Sequence, residues 1–195
     1  MSNVVQIHLK RLTAEAFAPF GQLICECSDE PPTFEGQELR SWHFDLEVDG
    51  TTELMYIHYA HKPIVFSTVE RHFRVTQTFI PLGGAASVMV VAPPTDPKDW
   101  DSVPEPSQYC AFYVPGTVGI MLWRATWHAM TRFPINPHGA GFAFLTDAST
   151  QRELETQEDD GIPAKLTQQI DYLQRDGISF KVVDPEGLLA GDIGN

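Results

Sequence analysis

Basic residues, cysteines and long apolar runs are all scarce in this sequence. The 195 residues include 13 lysines and arginines against 26 aspartates and glutamates, a formal net charge of −13. No basic stripe suited to a phosphate backbone is visible, which argues against nucleic-acid binding. No stretch reaches the roughly 18 apolar residues of a membrane span, and the N-terminal segment lacks the apolar run of a signal peptide. We therefore expect a cytoplasmic protein that does not enter a membrane.

The sequence also lacks several motifs of nucleophilic and nucleotide-dependent enzymes. Its three cysteines, Cys25, Cys27 and Cys110, include no Cys-x-x-Cys pair. Cys25 and Cys27 are too close for a comfortable bridge along one strand, so we expect reduced thiols. Phosphate-loop, dinucleotide-binding and Gly-x-Ser-x-Gly patterns are absent as well. The chemistry of this chain must therefore depend on other side chains.

Short strand patterns separated by turn signals fill most of the chain. Val5, Ile7 and Leu9 alternate with polar residues, as in a half-buried strand. The apolar run at 85–92 is typical of a strand covered on both faces. Many short strands with few helices predict an all-β sandwich or closed barrel.

Two helices interrupt this β pattern. Thr13 is a suitable N-cap for a short helix, and the segment Pro163–Asp176 has helical spacing with Gly177 as its C-cap. The sequence becomes acidic after residue 147, but no second set of core residues follows. We expect one domain over residues 1–195, with a barrel at 1–147 and a C-terminal extension at 148–195.

Acid, imidazole and amide groups gather in residues 70–77. Glu70 and His72 are two residues apart, so both side chains leave the same face of an extended backbone. Gln77 joins that face if a bulge or turn intervenes. This spacing is that of the first ligand motif in cupin-type barrels, where His-x-His and a later Glu are usual. We expect His128, from a distant strand, to complete the site.

These four side chains allow more than one chemistry. Two imidazoles and a carboxylate, Glu70 with His72 and His128, suit nickel, iron, manganese or zinc, and the Gln77 amide is a weaker ligand. Without a metal, the same groups serve as general base and general acid. A third alternative is a polar strand face in solvent, and spacing alone does not decide among the three.

A small acid substrate also needs a planar cationic clamp. Arg124 lies in the second polar cluster, residues 123–128, and we favour it over Arg40, Arg71 and Arg74. Trp127 is the other predicted substrate contact. For each arginine, the alternative is a surface ion pair with one of the 26 acidic residues.

Three segments resemble the ureidoglycolate lyase family of allantoin breakdown: LTAEAFAPFGQLI, VERHFRVTQTFIPLGG and RATWHAM. The resemblance spans roughly residues 8–147. It implies a cupin-like double-stranded β-helix, or jelly-roll barrel, with few short helices, followed here by a helical C-terminal extension. The chain departs from the family at Ala129 and Trp123, where histidines are common.

The resemblance also implies a function. The family's activity is that of an amidine-type carbon–nitrogen lyase, which cleaves ureidoglycolate to glyoxylate and urea in purine catabolism. Nickel as a cofactor and a homodimeric assembly are implied with it. By matching position, the site residues are Glu70, His72, Gln77 and His128.

Ureidoglycolate carries hydroxyl, carboxylate and ureido nitrogen on one carbon, so cleavage needs one base and one acid. We assign Glu70 or His72 as base, His128 as acid and Gln77 as the orienting group. Two alternatives stay open. One is a cupin-like binding or regulatory module for a small carboxylate. The other is a related enzyme on another small hydroxy or ureido acid, such as a hydrolase that releases ammonia.

Overall fold

Two β-sheets make up most of the computed structural model, which describes residues 3–26, 31–160 and 165–190. The larger sheet has nine strands: β1 (Asn3–Arg11), β6 (Val65–Phe66), β7 (Thr68–His72), β9 (Gly84–Ala92), β10 (Cys110–Gly116), β12 (Trp127–Ala129), β13 (Phe133–Pro134), β15 (Thr167–Asp171) and β16 (Ile178–Val183). The smaller has five: β2 (Gly21–Ile24), β5 (Thr52–Tyr59), β8 (Thr78–Leu82), β11 (Gly119–Leu122) and β14 (Ala140–Asp147).

The remaining elements are short. A two-stranded ribbon joins β3 (Phe34–Glu35) to β4 (Arg40–Ser41), and there is a 3₁₀ turn at Pro106–Gln108. The helices are α1 (Ala14–Phe17), α2 (Ala148–Asp160) and α3 (Tyr172–Asp176). This mostly β architecture with curled sheets confirms the predicted all-β, cupin-like fold class.

Strand β9 lies at the centre of the apolar packing. Val88 and Val90 belong to one buried cluster, together with Trp127 and Phe180. Met89 and Val91 point the other way, into a cluster between the two sheets that also contains Phe79, Phe142 and Phe144. Each cluster takes alternate residues of β9, because successive side chains of a strand leave opposite faces. The prediction of a strand covered on both faces is confirmed.

Local signals at the first helix and at the N-terminal strand are also confirmed. The Thr13 hydroxyl accepts a hydrogen bond from the backbone N–H of Ala16, as an N-cap does. Ile7 and Leu9 are buried, whereas the intervening His8 is exposed. β1 is therefore half-buried, as the alternation predicted.

The C-terminal segment differs from its prediction. Residues 167–171 form β15, which pairs antiparallel with β7, and only Tyr172–Asp176 is helical. Hydrogen bonding to β7 overrides the helical spacing of this stretch, since tertiary pairing outweighs weak propensity. Pro163 lies outside the described residues, but Gly177 is the expected C-cap, with φ of 69°.

The segment after residue 147 is also more than a helical appendage. β16 pairs with β1 over six residues, and β15 forms an edge of the nine-stranded sheet. The acidic segment after residue 147 begins with the helix α2. No helix among the described residues is long and apolar enough to cross a membrane. Cys27 lies outside the described residues.

Candidate active site

Neighbouring strands of the large sheet bring Glu70, His72 and His128 together. β12 pairs antiparallel with β7, and His128 lies directly opposite Glu70 in the register. His72 is two residues further along β7, on the same face. The chain then turns at residues 73–77 and enters β8 in the other sheet, which brings Gln77 to the same place. The expected turn before Gln77 is therefore present, and the four predicted residues meet.

The distances among these groups are short. Glu70 Oε1 lies 3.6 Å from His72 Nε2 and 4.0 Å from His128 Nδ1. The two imidazole rings have centroids 5.1 Å apart. All four side chains are buried, with exposed fractions of 3–6 %. The alternative of a solvent-exposed polar strand is thereby excluded.

The hydrogen bonding of His128 fixes its tautomer. Its Nδ1 lies 3.0 Å from the carbonyl oxygen of Ala129, which can only accept a hydrogen bond. The proton of the neutral ring is therefore on Nδ1, and Nε2 carries a lone pair. That Nε2 is buried and has no hydrogen-bond partner in the described structure, and the same is true of His72 Nε2 and Gln77 Oε1. Buried polar atoms without hydrogen-bond partners are rare, and each is a candidate contact for a ligand, an ion or an ordered water.

The electrostatics of the cluster follow from its burial. Burial lowers the pKa of His128 to about 4, although the Glu70 charge opposes this. At neutral pH the ring is therefore uncharged. Burial raises the pKa of Glu70, but its interactions with His72, His128 and Gln169 outweigh that effect, so the pKa lies below its ordinary value. The site thus holds an ionised carboxylate beside a neutral imidazole.

A cavity of about 490 Å³ opens onto this cluster. Glu70, Gln77 and His128 line it together with Arg132. Apolar side chains from the inner faces of both sheets form much of the remaining wall: Ile57, Phe79, Met89 and Phe144. Apolar walls with convergent polar groups are the usual form of a small-molecule site.

Arg132 is the main cavity residue that the sequence did not single out. Its side chain is 2 % exposed, and its guanidinium carbon lies 4.3 Å from the Phe79 ring centroid and 5.5 Å from that of Phe142. Its Nε and Nη1 donate to no group in the described part of the chain. Burial lowers its pKa to about 9, so it remains a cation at neutral pH. The only feature of the sequence that could have indicated a role for Arg132 in the site was its position four residues after His128, between Met130 and Phe133.

Arg124, predicted to bind the substrate, is paired with acidic residues. Arg124 donates two hydrogen bonds to the Asp49 carboxylate, at 2.7 and 2.9 Å, and lies 3.1 Å from Glu47. It is not among the residues that line the cavity. Two carboxylates on a distant turn hold it at the surface, which was the alternative considered for each arginine.

Trp127, the other predicted substrate contact, is turned away from His128 by the alternation along β12. Its ring is fully buried in the apolar cluster of β9, and its Nε1 donates to Thr95 Oγ1 at 3.0 Å. Arg71 packs over this ring at 4.7 Å and donates to Gln168 and Thr95. Arg71 therefore points away from Glu70, and the contacts of both Arg71 and Trp127 are structural.

The C-terminal segment contributes to the site, which the sequence did not indicate. Gln169 Nε2 donates to Glu70 Oε2 at 3.1 Å, and Thr167 Oγ1 forms a 2.9 Å hydrogen bond with His72 Nδ1. Gln151 and Leu154 of α2 line the cavity. No local signal in the sequence could have found these residues, because their contacts depend on the pairing of β15 with β7.

The donor set fits a metal ion. Glu70, His72 and His128 each offer a ligand atom, and these atoms lie within 4.8 Å of one another. Both imidazole Nε2 atoms are buried without partners. Imidazole and carboxylate together suit nickel and other divalent transition metals.

The curled all-β fold and its buried carboxylate–imidazole cavity define an enzyme-like barrel with a small-molecule site. Residues 4–161 match the family model described as ureidoglycolate lyase. The chain belongs to the ureidoglycolate lyase family.

Named relatives agree with this assignment. A protein of Azotobacter vinelandii named ureidoglycolate lyase is 30 % identical over 129 residues, which cover 63 % of this chain and 74 % of that protein. One from Pseudomonas aeruginosa with the same name is 32 % identical over 129 residues, 63 % of this chain and 73 % of that protein. A third, from Pseudomonas syringae, is 34 % identical over 128 residues, 62 % and 71 % of the two chains.

Proposed function

We propose that this chain is a carbon–nitrogen lyase that cleaves ureidoglycolate to glyoxylate and urea. One observation carries the proposal: one cavity is lined by a guanidinium with two unpaired nitrogens, an ionised carboxylate and a neutral imidazole. These are the groups that a small α-hydroxy acid needs for binding and proton transfer. The family membership supports the same activity.

Arg132 binds the substrate carboxylate in this proposal. Its Nε and Nη1 lack hydrogen-bond partners, and a guanidinium donates charge-assisted hydrogen bonds to a carboxylate. The negative charge also compensates a buried cation, which is otherwise costly. Gln77 Oε1, a buried acceptor without a partner, receives a hydrogen bond from the ureido N–H.

His128 moves the proton. Its Nε2 takes the proton of the substrate hydroxyl, the C–O bond becomes a carbonyl, and the C–N bond breaks with its electron pair left on nitrogen. The same Nε2 then returns the proton to that nitrogen, so urea leaves neutral and glyoxylate remains. Glu70 stabilises the intermediate imidazolium across the 4.0 Å to Nδ1. His128 is therefore first a base and then an acid, which differs from its predicted role as acid alone.

Glu70, His72 and His128 are also the residues that would hold nickel, and with the ion bound His128 would be a ligand rather than the base. Such an ion would supply a Lewis acid that lowers the pKa of the substrate hydroxyl. Nickel dependence is thus a property to be measured together with turnover.

The decisive assay supplies racemic ureidoglycolate to the purified protein and measures glyoxylate, urea and ammonia, with added Ni²⁺ and with a chelator. Equal release of glyoxylate and urea is expected. Ammonia release would contradict the lyase and indicate a hydrolase. Binding of substrate without product would indicate a binding module. Stimulation by Ni²⁺ and loss with chelator would establish the metal as part of the site.

We also propose that two copies associate through the outer face of the five-stranded sheet. Four exposed apolar side chains lie there on β5 and β8, the two strands that flank β14: Leu54, Tyr56, Ile80 and Leu82, with exposed fractions of 36–69 %. Ala143 of β14 pairs with both Tyr56 and Ile80, so these residues form one patch. With a net charge of −13, two copies need a surface poor in charge to associate. The cytoplasmic location stays a prediction.

A further inference from the structure

Strand β15 lies beyond residues 4–161, the part of the chain that matches the family, yet it reaches the centre of the site. We propose that Thr167 and Gln169 are positioning residues, Thr167 for the His72 imidazole and Gln169 for the Glu70 carboxylate. The proposal rests on the proposed function for its kinetic readout.

The pairing register carries the first step of the argument. In the antiparallel pair of β7 and β15, Thr167 is directly opposite His72, and Gln169 is directly opposite Glu70. Directly opposite residues project on the same face, with Cβ atoms roughly 5 Å apart. Both side chains of β15 are therefore placed beside the two groups that they contact.

The hydrogen bonds are the second step. Thr167 is fully buried, and its hydroxyl bonds His72 Nδ1 at 2.9 Å, leaving Nε2 aimed towards Glu70. Gln169 Nε2 donates to Glu70 Oε2 at 3.1 Å, leaving Oε1 towards His72 and His128. Each hydrogen bond holds one polar atom of its group and thereby fixes the direction of the other polar atom, which faces the site. Hydrogen-bond partners behind the ligands of metal and catalytic sites act in the same way.

Two further contacts hold β15 in this register. On the opposite face, Gln168 Oε1 accepts a hydrogen bond from the buried Arg71 Nε at 2.8 Å. At the start of the strand, the Glu153 carboxylate of α2 accepts hydrogen bonds from the backbone N–H groups of Lys165, Leu166 and Thr167. A slip of one residue would turn every side chain of β15 to the other face, and these contacts oppose it.

The test removes each hydrogen bond with little change of shape. Thr167→Val deletes the hydroxyl, Thr167→Ser keeps it, and Gln169→Leu deletes the amide. Matched controls are Thr156→Val and Gln174→Leu, both at exposed positions away from the cavity. We expect Thr167→Val and Gln169→Leu each to lower kcat by about 10-fold or more, with KM changed by less than about 3-fold. Thr167→Ser should remain within about 3-fold of the wild-type kcat.

A second readout does not depend on turnover. The ¹⁵N chemical shifts of the His72 ring, assigned by their loss in His72→Gln, report the tautomer and the hydrogen bond at Nδ1. We expect them to move in Thr167→Val and to stay in Thr167→Ser and Thr156→Val. If the wild type releases no urea, the proposed function fails, and these shifts still decide the positioning role of Thr167.

Several results would overturn the proposal. Wild-type kcat in both Thr167→Val and Gln169→Leu would do so, as would unchanged His72 shifts in Thr167→Val. Equal loss of activity in Thr167→Ser and Thr167→Val would show that the hydroxyl is not the cause. Should Thr167→Val fail to fold, the kcat of Gln169→Leu, a change at an exposed position, decides the matter, with Gln174→Leu as its control.

Discussion

Replacement of Arg132 by methionine should abolish most of the activity without lowering the stability. The ligand-free protein buries a guanidinium whose Nε and Nη1 have no partner in the described structure. Each unsatisfied buried donor costs about 1–3 kcal/mol, so about 2–6 kcal/mol is relieved in Arg132→Met. The lost cation–π contacts with Phe79 and Phe142 offset about 2 kcal/mol of this. The free energy of unfolding should therefore stay the same or rise by up to about 4 kcal/mol.

Activity should fall sharply in the same variant. Two hydrogen bonds from a guanidinium to a carboxylate are worth about 1.5–3 kcal/mol each, so their loss predicts a decrease of about 10²- to 10⁴-fold in kcat/KM. Arg132→Lys keeps the charge without the planar fork and should give an intermediate value. The assay is glyoxylate release, alongside urea denaturation of the ligand-free proteins.

A matched control is Arg40→Met, which removes a surface arginine paired with Glu26 at 2.7 Å. Exposed pairs contribute about 1 kcal/mol or less, so both measurements should stay near the wild type. The reasoning is refuted if Arg132→Met is strongly destabilised while its kcat/KM is retained. That outcome would make Arg132 a structural cation rather than a clamp.

Three further predictions concern pH, charge and assembly. The pKa of His128 is about 4 when folded and near 6.5 when unfolded, so its contribution to stability is complete above pH 6.5 and is lost as the pH falls towards 4. With a chelator present, the wild type should lose about 2 kcal/mol more than His128→Gln between pH 7 and pH 5 in denaturant titrations; equal losses would contradict the shift. Glu70→Gln removes the charge that stabilises the imidazolium and should lower kcat about 10- to 100-fold in the glyoxylate assay; an unchanged kcat would count against it. The double variant Leu54→Glu, Tyr56→Glu should give monomers in light scattering where the wild type gives dimers, and a monomeric wild type would refute the interface.

The sequence was most informative where the determining contacts are local. Alternation in β1, the Thr13 cap and the continuous apolar run of β9 each depend on a few neighbouring residues, and all three are present. The spacing of Glu70 and His72 also determined their common face. A family resemblance then connected them to His128, which the strand pairing places directly opposite Glu70.

The sequence was least informative where distant partners decide. Arg124 and Arg132 lie close together in the sequence, on either side of His128. Arg124 forms hydrogen bonds with Asp49 on a remote turn, whereas Arg132 packs against Phe79 and Phe142 of the other sheet. The helical spacing of Leu166, Ile170 and Leu173 likewise fits a helix and a paired strand equally well in its first half. This segment forms a strand because it pairs with the free edge of β7, and no local pattern in the sequence reveals that edge.

The placement of β1 has a consequence for the order in which the protein folds. β1 lies between β10 and β16, with Leu9 beside Ala111 and Asn3 beside Ile178. At about 5–20 residues per second, ribosomal synthesis leaves β1 without its first neighbour for roughly 5–20 s and without its second for longer. Contacts so far apart along the chain also slow folding once synthesis is complete. During this interval β1 exposes open hydrogen-bonding edges, so the nascent chain is most vulnerable to aggregation before its catalytic strands have been closed by β15.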